Sequence, residues 1–74
     1  MTYEQYCTIC TKMNHHMYAE ANLQGESISE FDLLPILSES DFDKMSSEHD
    51  LVLRIFRQLG MAYVTSFLDI YKAI

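Results

Sequence analysis

Cys7, Cys10 and His15 follow one another as Cys-x2-Cys-x4-His, with His16 adjoining and Glu20 five positions after His15. Thiolates and imidazoles are the ligands that a tetrahedral zinc ion takes, so these three residues are the candidate metal set of the chain. A Cys-x-x-Cys pair also serves redox chemistry, but it then opens a helix after a strand, where the thiol pKa falls. No strand pattern precedes Cys7. A second run, Glu39-x-Asp41-x-Asp43-x-Met45-x-Ser47-x-x-Asp50, spaces oxygen ligands as a hard cation would want them. His49 sits between Glu48 and Asp50, whose charges would favour the imidazolium if they approached it. A glycine-rich phosphate loop and a serine-centred nucleophile elbow are both missing from the sequence. The expectation is a protein that is not an enzyme and has no cofactor.

The elements that would position these residues argue against both ion sites. The cysteine–histidine spacing resembles a retroviral-type zinc knuckle, but Glu20 stands where the last cysteine belongs and the knuckle's glycines are missing. The same residues also form a helical stripe. Tyr3, Tyr6, Cys10, Met13 and Met17 recur at 3–4 spacing, with Cys7 and Ala21 on its margin, which predicts a long helix from Thr2 to about Asn22. On that helix His15 turns about 140° away from Cys10, at 100° per residue, so one ion could not reach all three side chains. The acidic run resembles an EF-hand loop, but Lys44 replaces the glycine of its sharp bend and Asp50 replaces the longer closing glutamate.

Further along, Ser27-Ile28-Ser29-Glu30 has the form of a capping box for a short helix through Leu37, limited by Pro35. Ser40-Asp41-Phe42-Asp43 reads as another cap. Ser46 and Ser47 precede what reads as one long helix over residues 48–73, roughly 39 Å at 1.5 Å per residue. Its apolar residues cover most of its girth, which calls for burial from more than one side. The fold expected is therefore all-α, a single helical domain over residues 1–74. It comprises a long N-terminal helix, short central helices and a long C-terminal helix that pairs with itself in a helical dimer. Leu53, Gly60, Val64, Leu68 and Tyr71 are the expected oligomer interface.

Size and charge narrow the function. A chain of 74 residues buries only about 60% of its unfolded surface, so a partner or a second copy is the natural source of added stability. The net charge is −6 and unevenly spread. Residues 20–50 hold nine carboxylates against Lys44 alone, net −8, whereas residues 51–74 hold Arg54, Arg57 and Lys72 against Asp69, net +2. Such a field disfavours direct contact with nucleic acid or an anionic membrane and favours a basic protein surface. The expected partner is a larger protein with a basic site. It would be met by Glu30, Phe31, Asp32, Leu33, Leu34, Glu39, Asp41, Phe42 and Asp43, with the apolar members as anchors and the acids steering the approach. If that site handles nucleic acid, the acidic run acts as a mimic, in the manner of small phage-encoded inhibitors. No basic stretch followed by an apolar run opens the chain, and a reducing cytoplasmic compartment is expected.

Overall fold

The computed structural model describes residues 1–29 and 32–74. It is all-α: α1 (Tyr3–Leu23), α2 (Glu39–Asp43), α3 (Glu48–Gln58) and α4 (Met61–Lys72) follow in order, and the described residues contain no strand.

Local chemistry sets both ends of α1. Thr2 and Gln5 form a capping box. The Thr2 hydroxyl accepts from the Gln5 N–H at 3.1 Å, and the Gln5 side-chain oxygen accepts from the Thr2 N–H at 2.9 Å. At the other end Gly25 takes φ +72°, a conformation that costs glycine little. The Glu26 N–H then reaches the Ala21 carbonyl at 2.8 Å and the Gly25 N–H reaches that of Asn22 at 3.1 Å, a Schellman closure. Of the stripe, Tyr6, Cys10, Met13 and Met17 are buried as its spacing predicts and Tyr3 is half-buried. Ala21 on its margin is buried too, and Ile9 joins with no exposed surface. The buried face is wider than the stripe because α1 is covered from two directions.

One cover is an extended strap. Where the sequence predicts a short helix through Leu37, the chain is held at Asp32, whose N–H donates to the Ser29 carbonyl at 3.0 Å. It carries no regular structure from Leu33 to Ser38. Ser29 donates through its N–H and hydroxyl to Asp32 Oδ2 at 3.3 and 3.2 Å. Glu30 of the expected capping box lies outside the described residues, as does Phe31. Pro35 explains the strap. It lacks an N–H and pushes the preceding Leu34 toward extended backbone. Side chains of α1 then satisfy the strap's backbone. Asn14 accepts from the Leu34 N–H at 2.7 Å and donates to the Leu34 carbonyl at 3.1 Å. Tyr6 Oη accepts from the Leu37 N–H at 2.9 Å, and Tyr3 Oη donates to the Leu37 carbonyl at 2.7 Å. Ser38, two residues before the expected cap at Ser40, then starts α2 by accepting from the Asp41 N–H at 3.2 Å.

The other cover is a helical hairpin. Where the spacing predicts one helix over 48–73, the structure has two, because Leu59 and Gly60 are extended at φ −86°, ψ 145° and φ −73°, ψ 158°. An unbroken helix would leave one of its apolar faces in water. Broken at a poor helix former, its halves fold back and both bury apolar side chains in the core on α1. Phe56 of α3 meets Phe67 of α4 edge to face at 5.3 Å. Tyr71 Oη returns to the start of α3, donating to Glu48 Oε2 at 2.6 Å. α1 packs principally on α4, and Leu34, Leu51, Ile55, Leu59 and Phe67 complete the core it began.

Candidate functional site

The strap and α2 sort the expected contact residues onto two sides. Asp32, Glu39, Asp41 and Asp43 are exposed, while Leu33 and Phe42 are half-buried. Leu34 is only 4% exposed and belongs to the core, so it does not face a partner in this conformation. Phe42 packs on Tyr3 and Tyr6, with ring centroids 5.4 and 5.3 Å away. The anchors expected from the sequence therefore largely hold the acidic segment onto α1. Facing outward instead are Pro35 and Ile36, the latter 43% exposed, and helical periodicity does not single them out. Their signal lies in the X-Pro step, which converts a helical repeat into an extended chain whose neighbouring side chains point apart.

The carboxylates of this surface are weakly neutralised. Asp41 lies 3.8 Å from Lys44, an exposed pair of little energetic consequence. Among the described residues, Glu39 and Asp43 form no ion pair. Glu48 is better held. Its Oε1 lies 2.7 Å from the terminal ammonium of Met1, and that hydrogen bond, with the one from Tyr71, keeps its carboxyl below the usual range.

Beneath the strap the chemistry is quiet. Burial pushes the Tyr6 hydroxyl up to about 12, against the opposing effect of the Leu37 N–H. Burial likewise pushes the Cys10 thiol up to about 11, far from a reactive thiolate. Cys7 is half-buried and His15 exposed, while Cys10 is 1% exposed, so the candidate zinc ligands point different ways. Among the described residues no three His, Cys, Asp or Glu side chains gather as metal ligands. The oxygen-rich run is likewise spent on structure. Residues 39–43 are helical, and Ser47 caps α3 by accepting from the Asp50 N–H at 3.1 Å. His16 ties α1 to α4, its Nε2 3.2 Å from Ser66 Oγ and its ring edge-on to Tyr63.

The expected oligomer face is divided by the break at Leu59–Gly60. Leu68 and Tyr71 pack against the core, Gly60 is exposed in the turn, and Leu53 and Val64 are half-buried outside the core cluster. Met61, 88% exposed, adds to the uncovered apolar surface of the hairpin. No described helix is long and apolar enough to cross a membrane. Comparison with protein-family models, curated proteins and solved structures returns no match for this chain.

Proposed function

We propose that the protein is a non-catalytic regulator or inhibitor that presents the acidic strap and α2 to a basic site on a larger protein in the cytoplasm. The observation that carries this reading is the sidedness of residues 32–43. Asp32, Glu39, Asp41 and Asp43 face solvent beside Pro35 and Ile36, while Leu34, Leu37 and Phe42 fix the segment to α1. Several carboxylates on a pre-formed backbone attract a basic groove and raise the association rate without an ordering cost at binding. A groove that handles nucleic acid would meet them as a phosphate mimic, and direct binding of this chain to nucleic acid is opposed by the same charges. Capture of partners from a lysate by the wild type and by the Asp41→Lys, Asp43→Lys double variant tests the reading. A basic protein retained by the first and lost by the second supports it, and equal retention by both contradicts it.

A second reading, a self-associating helical module, is favoured by Leu53, Val64 and Met61, which lie outside the core cluster of the described residues. Sedimentation equilibrium decides it, since a monomer at all concentrations removes it.

A further inference from the structure

Between α2 and the first turn of α3, the connection through Met45 leaves a recess of about 260 Å³. Met1, Phe42, Met45 and Leu51 give it apolar walls, and Ser47 and the exposed carboxylates of Asp43 and Glu48 complete the lining. Glu48 is paired to the Met1 ammonium, so Asp43 is the carboxylate left to an incoming cation. Its volume falls below the roughly 300–1,000 Å³ of sites that enclose a whole small molecule, and suits one long side chain. We propose that this recess receives an arginine side chain of the basic partner. The inference rests on the acidic-surface reading above and names the place where that surface is most specific.

Three features select arginine. An aliphatic stem needs apolar contact with a charged end, and Met45 is an adaptable wall above the buried Leu51. A guanidinium stacks on an aromatic face and is more weakly hydrated than an ammonium, which suits the partly exposed Phe42 ring. Asp43 offers a carboxylate with no ion pair among the described residues. The Glu48 carboxylate already holds one cation, the terminal ammonium. Met45 also lines a second recess of about 480 Å³, where Arg54 and Arg57 face a single carboxylate, Asp50. The balance of charge is positive in that recess and negative in the first, where two carboxylates face the one ammonium, so a cationic side chain is directed to the first.

The test uses the full chain and a blocked pentapeptide carrying two arginines, with lysine and citrulline counterparts, followed by amide shifts in NMR titrations. The arginine peptide is expected to move the signals of Phe42, Asp43, Met45 and Leu51 at saturating concentration. Asp43→Asn should weaken it by about tenfold, Met45→Ala by severalfold, and the citrulline peptide should not bind. Phe42 is left intact because it packs on Tyr3 and Tyr6. Shifts confined to Asp32, Ile36 and Glu39, unaffected by Asp43→Asn, would overturn the arginine recess while leaving the acidic-surface reading in place. Equal binding of the lysine peptide would overturn the selectivity for arginine. Failure of every basic peptide, together with equal capture of partners by the wild type and the Asp41→Lys, Asp43→Lys variant, would overturn both.

Discussion

The strap and the α3–α4 hairpin cover the same helix by different means. The hairpin interlocks through apolar and aromatic side chains, Leu51, Ile55, Leu59 and Phe67 against the stripe of α1. The strap is gripped by its backbone, at Leu34 by Asn14 and at Leu37 by Tyr3 and Tyr6. Apolar packing consumes side chains, whereas a backbone grip releases them. This is why Asp32, Pro35, Ile36 and Glu39 can all face outward from a segment that is nonetheless fixed in place.

The contrast predicts unequal damage. Phe67→Ala empties the centre of the hairpin and should cost about 4 kcal/mol in chemical unfolding, the whole domain melting as one unit. Asn14→Ala leaves two backbone groups of Leu34 without partners and should cost about 2–3 kcal/mol. Hydrogen exchange should then show the loss first in residues 32–38. Equal loosening of α3 and α4 would mean that strap and hairpin are not separable in this way. Tyr6→Phe removes the acceptor for the Leu37 N–H, along with the hydroxyl's hydrogen bond to Cys10, and should cost about 1 kcal/mol by the same measurement. Gly60→Ala should change stability by less than about 1 kcal/mol, because Gly60 has a negative φ and an added methyl group would meet only open space. A variant that instead dimerises through one continuous helix would show that the glycine alone makes the hairpin.

Alkaline titration sharpens the same comparison beneath the strap. The folded Cys10 thiol is raised from the ordinary 9.0 to about 11, so its contribution is complete below pH 9 and is lost as pH climbs toward 11. Tyr6 adds a further loss between pH 10 and about 12. Unfolding curves should decline across that window, and Cys10→Ala should remove the earlier part of the decline.

The sequence makes α1 legible because its signal is local, the 3–4 spacing of Tyr3, Tyr6, Cys10, Met13 and Met17. It does not reveal the strap, whose clamps join residues 20 to 34 positions apart. Pro35 is the one local sign of it. The fold-back at Leu59–Gly60 is hidden for a related reason, since the apolar residues on both sides keep helical spacing and only tertiary burial favours the break. For the candidate surface, the exposure of the acids follows from their chemistry. The inward turn of Leu34 and Phe42 and the outward turn of Ile36 depend on an extended chain that helical periodicity misreads.

The most direct test of an acidic docking surface is the affinity for the captured partner measured across a salt series, for the wild type and for Asp41→Lys with Asp43→Lys. A Kd that weakens steeply with salt in the wild type, and a charge-reversed protein that stays folded but binds at least about tenfold more weakly, is the predicted result. A salt-independent affinity shared by both proteins would place the contact elsewhere on the molecule.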